Sequence, residues 1–431
     1  AVGPDKMSPT LLLEELRKVI LDHNQKRHEV FTKNLLPELK KNGIRFLSWK
    51  DLSDAEKKLA NEYFKNKVFP VLTPLAVDRS HPFPFLSNLS VSLGVTLHYP
   101  KRKEDLFARI KLPSSLSQWV QLASEKPTEY KFVSLLDLVS NNLEELFPEM
   151  VIEDVVPFRI TRSADTGAVP DDDEDDRLEV VAEELRQRRV AQIVRLEHGA
   201  AKDKSILNFI QEELEIAPSD TYEVPGEISY LALQELANLN ISNLRYKPHA
   251  PIKTDALSDD SLDMFSIIRG KDVLVHHPYE SFTDSVEKFI RDAVIDPNVL
   301  AIKMTLYRAG ENNPIIPLLI KAAEMGKQVV AVVELQARFD EARNIYWSEI
   351  LEGAGVHVVY GITDKKIHAK TVLVIRQEQD TYRYYSHIGT GNYNPSTARL
   401  YTDYSLFTSD KKIGSELIEF FNFLTGLSLK K

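Results

Sequence analysis

The chain has 431 residues, too many for one hydrophobic core, and its 43% hydrophobic and 27% charged residues are ordinary globular composition. A net charge of −10 counts against a protein that grips nucleic acid through its backbone, which would be basic overall, but leaves room for a local cation cluster that binds a smaller polyanion. Cysteine is absent, which removes disulfides and thiolate metal sites and agrees with a cytoplasmic setting; no apolar run approaches a transmembrane segment, and residues 1–6 carry no secretory signal pattern.

Apolar residues at helical spacing (Leu12, Leu16, Ile20, Val30, Leu35, Leu39) predict a helix over 11–41 that ends before Asn42-Gly43. A second helix is expected from Asp54, read as its N-cap, to about Phe64. Residues 1–67 are therefore expected to be a helical N-terminal domain.

From Val68 the texture changes. The stretch FPVLTPLAVDRSHPFPFLSNLSVSLGV is Pro-rich and then alternates like a strand, with Val91, Leu93 and Val95 on one face. Further strands are predicted at 106–110, 158–161 and 190–196, and helices at 135–146, 175–187 and 205–213. The acidic run from Asp171 to Asp176 could hold a metal; the competing reading is a solvated helix start favoured by the helix dipole. These elements make an α+β middle domain over 68–250.

Pro and polar residues over 246–260 read as a linker into a last domain, 251–431. Strands predicted at 272–276, 299–307, 328–335 and 356–360 alternate with helices at 282–292, 314–325 and 341–352. Continuous Val/Ile/Leu strands alternating with helices mean an α/β layer structure with parallel strands covered on both faces. Three more strands follow at 368–376, 382–388 and 401–408, the first two joined as a hairpin.

Arg308 and Arg338 each follow a strand of adjacent α/β units, at the carboxyl ends where ligands of such sheets bind. Two guanidinium forks placed alike would converge on phosphate oxygens; pairing with Glu311 or Asp340 is the competing account. In IHAK, His368 and Lys370 lie two apart, so on a strand they share a face. A neutral imidazole can attack phosphorus while the ammonium neutralises developing oxygen charge, and nearby cations keep the imidazole neutral. Downstream, HIGTGNYNPSTARLYTDYSLFT offers Gly389 and Gly391 for close backbone approach and Asn392 and Asn394 as amide donors.

A His-x-Lys strand, a hairpin and a Gly-Thr-Gly-Asn turn together resemble the half-site of the phospholipase D superfamily, although Ile375 stands where that pattern has Asp. The ordered segments FPVLTPLAVDRSHPFPF, HHPYESF, AIKMTLYR, VELQARFDE, IHAK and HIGTGNYNPSTARLYTDYSL resemble the long-chain polyphosphate kinases more closely, over nearly the whole chain.

That resemblance implies reversible transfer of the ATP γ-phosphate to a polyphosphate chain through a phosphohistidine at His368. It implies that Arg308 and Arg338 belong to the magnesium–phosphate site, with Mg2+ and ATP as cofactors, and that Tyr401 contacts the nucleotide. Since guanidinium has no lone pair, the two Arg would hold the phosphate oxygens that hold the ion. His387 would line the same region, or make only a structural hydrogen bond. ATP, ADP and inorganic polyphosphate are the implied partners, with no nucleic acid, and the intact enzyme would be a homo-oligomer. The family's opening helical segment with its adenine-binding motif, and its second His-containing domain, have no counterpart here, so the chain is expected to be truncated at both ends. Competing functions are a phospholipase D-like phosphodiesterase and a non-catalytic nucleotide- or polyphosphate-binding fragment.

Overall fold

The computed structural model describes residues 6–78, 80–101, 105–124, 126, 128–164, 177–259, 261–308, 310–311, 313–337, 339–362 and 365–426. Arg338 and the acidic run 171–176 lie outside the described residues. The chain divides into two compact units: Ala1–Gly167 with Gln187–Ile241, and Ala168–Arg186 with Ser242–Lys431. Helices and sheets are mixed in both, as the composition of predicted elements implies. No helix among the described residues is long and apolar enough to cross a membrane.

In the first unit, the long N-terminal helix starts at Pro9, capped by the Ser8 side chain, and runs as Pro9–Glu29 into Leu36–Lys41 through a widened turn at Val30–Leu35. The next helix, Asp54–Tyr63, corrects one expectation: its N-cap is Ser53, not Asp54. The Ser53 hydroxyl accepts the Glu56 amide proton while the Glu56 carboxylate accepts the Ser53 amide proton at 2.9 Å, a reciprocal pair that Asp54 cannot form from inside the first turn. The helix expected over 135–146 is two, Leu135–Ser140 and Leu143–Leu146. The Asn141 side chain turns back to the Asp137 carbonyl at 2.8 Å, offering the backbone an alternative to continuing the helix.

Among the described residues nine strands belong to this unit: β1 (Ile44–Phe46), β2 (Leu75–Val77), β3 (Val91–His98), β4 (Leu106–Lys111), β5 (Trp119–Leu122), β6 (Tyr130–Ser134), β7 (Val151–Arg162), β8 (Ile193–His198) and β9 (Thr221–Glu223). They form a three-stranded sheet ordered β1-β6-β5 and a six-stranded sheet ordered β2-β4-β3-β7-β8-β9. β3 is buried on both faces along its middle, not on the one face its alternation suggested.

Among the described residues the second unit is built on one sheet of seven strands: β10 (Val273–His277), β11 (Val299–Leu306), β12 (Gln328–Val333), β13 (His357–Tyr360), β14 (Lys370–Glu378), β15 (Thr381–Gly389) and β16 (Asp403–Thr408). Their order is β10-β16-β15-β14-β11-β12-β13. β11, β12 and β13 are parallel; the other pairings are antiparallel. Helices Met264–Gly270, Lys288–Ile295, Ile315–Glu324 and Glu341–Gly353 contribute Phe265, Phe289, Leu319 and Leu351 to one core with Val275, Met304, Val372 and Phe407. Helix Lys411–Thr425 packs Phe421 and Leu424 on Val330, Val332 and Leu373, which face the other way. Burial on both faces is why β11 and β12 read as continuous apolar runs.

This strand order brings the carboxyl ends of β10, β11, β12 and β15 to the same edge as the amino ends of β14 and β16. The registers fix it: Met304 pairs with Val372, Lys370 with Gly389, Gly389 with Ser405, and His277 with Asp403.

Candidate functional site

That edge carries the candidate chemistry, and its first residue corrects the sequence reading. His368 is not on a strand; β14 begins two residues later at Lys370. His368 is exposed while Ile367 and Lys370, on either side, are buried. The shared face expected of a His-x-Lys strand is thus replaced by another contact, the ring of Tyr307 just beyond β11. His368 meets that ring edge to face with centroids 4.9 Å apart. The Lys370 ammonium lies over the same ring at 4.8 Å, and the Arg308 guanidinium at 5.9 Å. Tyr307 therefore gathers three of the residues singled out in the sequence.

The electrostatics follow from this grouping. Partial burial holds the His368 pKa below the usual imidazole range, and the Lys370 and Arg308 charges push the same way, so the ring is neutral at pH 7. Burial pushes the Lys370 ammonium down to about 8; Asp403 opposes that shift and Arg308 adds to it. Lys370 donates to the His368 carbonyl at 2.5 Å. Arg308 lies 3.3 Å from the Asp340 carboxylate, the pairing that stood as the competing account, with its side chain still 41% exposed.

His387 is in a different environment. It pairs in register with Val372, one step deeper in the sheet than Lys370, and is 1% exposed. One ring nitrogen, Nδ1, is 2.6 Å from the Tyr393 hydroxyl, while Nε2 is buried without a partner among the described residues. Burial pushes its pKa down to about 3, with His277 adding to the effect. The expected turn at 389–394 is present: Gly391 sits where a Cβ would come within 2.6 Å of Asp403 Oδ2, and Asn392 Oδ1 is buried without a hydrogen bond among the described residues. Tyr401 is 64% exposed and precedes β16. The structure thus brings His368, Lys370 and Arg308 together, keeps His387 beneath the surface, and places Tyr401 and Asn392 on the neighbouring loop.

Several residues that hold this arrangement were not singled out by sequence. Thr305 on β11 donates to the Ala369 carbonyl at 2.8 Å and accepts from the Thr371 amide at 3.1 Å, spanning the gap at the start of β14. Asn344, 1% exposed on helix Glu341–Gly353, donates to the carbonyls of Tyr307 at 2.8 Å and Glu334 at 2.9 Å. Trp347, one turn on, donates to the Gly310 carbonyl at 3.0 Å, and Asn313 donates to the Tyr393 carbonyl at 2.7 Å. A polar residue inside a helix that otherwise packs on a core is the one signal that could have pointed to Asn344.

Among the described residues no group of three His, Asp or Glu could cage a metal ion. Arg308 has no lone pair to give one. Its guanidinium donors fit phosphate oxygens and not the ion itself.

Residues 263–430 match the family model described as polyphosphate kinase C-terminal domain 1, and residues 55–239 match the polyphosphate kinase middle domain. A polyphosphate kinase of Mycolicibacterium gilvum is 45% identical over 434 residues, covering 99% of this chain and 59% of that protein. One from Synechocystis is 43% identical over 450 residues, covering 99% and 62%. The crystal structure of polyphosphate kinase from Porphyromonas gingivalis superposes with a TM-score of 0.78 at 26% identity, over 96% of this chain and 60% of that one. The chain therefore spans about 60% of the length of these relatives.

Proposed function

We propose, from the premise that this chain belongs to the polyphosphate kinase family, that it carries the phosphoryl-accepting half of an ATP:polyphosphate phosphotransferase site with His368 as the nucleophile. The observation that supports this reading most is the neutral, exposed imidazole of His368 packed on the Tyr307 ring that Lys370 and Arg308 also approach.

In the first step a ring nitrogen lone pair of His368 attacks the γ-phosphorus of ATP. The new N–P bond forms as the bond to the bridging oxygen breaks, and ADP leaves with that oxygen. In the second step a terminal oxygen of polyphosphate attacks the same phosphorus, the N–P bond breaks, and the chain is one phosphate longer; the reverse sequence regenerates ATP. Lys370 and Arg308 hold the non-bridging oxygens and offset charge spread over them in the transition state. Loss of one such preorganised cation would cost on the order of 3 kcal/mol of barrier. Arg338 is assigned the same phosphate, Tyr401 and Asn392 the nucleotide, and His387 a supporting place beneath the phosphate. Magnesium enters this reading as a companion of the substrate phosphates. The reading takes the intact enzyme as a cytoplasmic homo-oligomer acting on polyphosphate and not on nucleic acid.

The test is labelling of the purified chain with magnesium and γ-labelled ATP, or labelled polyphosphate, beside His368→Ala. Label stable in alkali, lost in acid and absent from the variant supports the phosphohistidine. Nucleotide or polyphosphate binding without label would mark a binding fragment, and cleavage of a generic phosphodiester would mark a phospholipase D-like activity; either result overturns the proposal.

A further inference from the structure

The imidazole of His368 has no hydrogen bond to a side chain among the described residues, so its orientation comes from packing on Tyr307 and from the main chain that carries it. What is fixed is the main chain on both sides of it. On the upstream side the Ile367 amide donates to Glu334 Oε2 at 2.7 Å, and the Lys366 ammonium donates to the Gln336 carbonyl at 3.0 Å. On the downstream side Thr305 holds the Ala369 carbonyl and the Thr371 amide. The His368 carbonyl itself accepts from Lys370.

Glu334 is unusual among these groups. It is a carboxylate, 5% exposed, and among the described residues no Lys or Arg pairs with it. Its donors are two main-chain amides, Ile367 at one oxygen and Gln336 at the other, at 3.1 Å. A buried carboxylate without a countercharge is costly to maintain. Its charge is also not among those that act on His368, which come from Lys370 and Arg308. The main chain from which Glu334 projects is held in turn: its amide donates to the Leu306 carbonyl at 2.9 Å, and its carbonyl accepts from Asn344. The same Asn344 amide reaches the Tyr307 carbonyl, so one buried side chain ties together the residue on which the imidazole packs and the residue that anchors the imidazole's main chain.

We propose that Glu334 is a positioning residue for phosphotransfer at His368, acting through the Ile367 main chain, with Thr305 as the matching anchor on the other side and Asn344 as the support of Glu334 and Tyr307. This rests on the reading of His368 as the phosphoryl carrier. Reacting atoms must meet at about 3–3.5 Å, and a displacement of about 1 Å can cost on the order of 10²-fold in rate. A ring on an exposed segment reaches that tolerance when its backbone is clamped at both ends. Glutamine at 334 keeps the size but offers one acceptor to two amides and turns an NH2 group toward the other, so the segment shifts.

The experiment compares wild type, Glu334→Gln, Thr305→Val and Thr305→Ser by three readouts: the rate of phosphohistidine formation, the titration of His368 by its Cε1–H NMR signal, and the thermal midpoint. Glu334→Gln and Thr305→Val should label on the order of 10²-fold more slowly. Thr305→Ser should restore most of the rate because it keeps the hydroxyl. His368 should titrate at its wild-type pH in all of them, while its Cε1–H signal in the two slow variants moves or splits. Wild-type rates in both Glu334→Gln and Thr305→Val overturn the inference, as does a displaced His368 titration in Glu334→Gln, which would mean direct action of charge on the ring. Should Glu334→Gln fail to fold, Thr305→Val carries the test, since Val keeps the shape of Thr. A wild-type chain that takes no label counts against the phosphohistidine and not against the clamp; the NMR signal then decides alone, and an unmoved signal in both variants sinks the clamp.

Discussion

Replacing His387 with Gln should flatten the acid side of the stability profile of the second unit. The His387 ring is 1% exposed, and its pKa in the folded protein is pushed down to about 3 from the ordinary value of 6.5. Between those two values the unfolded chain holds one proton more than the folded one, so stability falls as pH falls, by about 1.4 kcal/mol for each pH unit. From pH 7 to pH 5 this group alone should remove about 2 kcal/mol from the wild type and nothing from His387→Gln. His277 is lowered in the same direction by burial, but it is present in both proteins and largely cancels in the difference. The Gln amide oxygen can accept the Tyr393 hydroxyl proton, so the variant keeps a partner for the bond that His387 makes at 2.6 Å. The assay is denaturant unfolding of both proteins at the two pH values. Trp347 fluorescence would be followed with Trp49→Phe and Trp119→Phe in the background, because the sequence has 3 tryptophans and only Trp347 lies in the second unit. Equal loss of stability in wild type and variant would refute a buried, neutral imidazole at this position.

Other consequences can be checked as directly. Gly391→Ala places a Cβ 2.6 Å from Asp403 Oδ2 and 2.7 Å from its Cγ, so Asp403 must swing away from the Thr390 hydroxyl that it accepts at 2.7 Å. Asp403 is the group that opposes the fall in the Lys370 pKa, so that pKa should drop below its present value of about 8. On the proposed mechanism, in which Lys370 acts as the charged ammonium, phosphohistidine formation should then fade at lower pH than in wild type; an unmoved alkaline limb in the pH–rate profile would contradict this. Ser53→Ala should destabilise the first unit by about 1 kcal/mol in denaturant unfolding, whereas Asp54→Ala should cost less, the order opposite to an Asp54 cap.

Where periodicity and composition decide structure locally, the sequence was readable. Helix Ser205–Glu213 has the expected ends, and the apolar runs of β11 and β12 announce strands buried on both faces. The short strands β1, β5 and β6 gave no such signal, because three to five residues cannot show a period, and β1 pairs with a strand far along the sequence, Ile44 with Tyr130. Ser53 lost to Asp54 in the reading because both are good caps by type; the reciprocal bond with Glu56 decides between them. At the site, the residue types with nucleophilic or cationic chemistry, His368, Lys370 and Arg308, were visible as types in a pattern. Tyr307, Thr305 and Asn344 were not, since they act through ring packing and main-chain carbonyls that exist only once the strands are side by side. The position of His368 two residues ahead of β14 was also hidden: a strand's first residue depends on where its neighbour's ladder begins, here at Lys370 and Gly389.

The placement of β10 at the outer border of the seven-stranded sheet has a consequence for synthesis. Its one neighbour among the described residues is β16, and the bond from His277 to Ser405 spans 128 residues of sequence. At about 5–20 residues per second, a ribosome needs roughly 6–25 s to supply that partner after β10 has emerged. Throughout that interval Val273 and Val275, destined for the core, have no strand to lie against. The nascent chain must keep this segment from foreign pairing. Its polar continuation, His276 and His277 followed directly by Pro278, interrupts the apolar stretch where an extended intruder would otherwise add on.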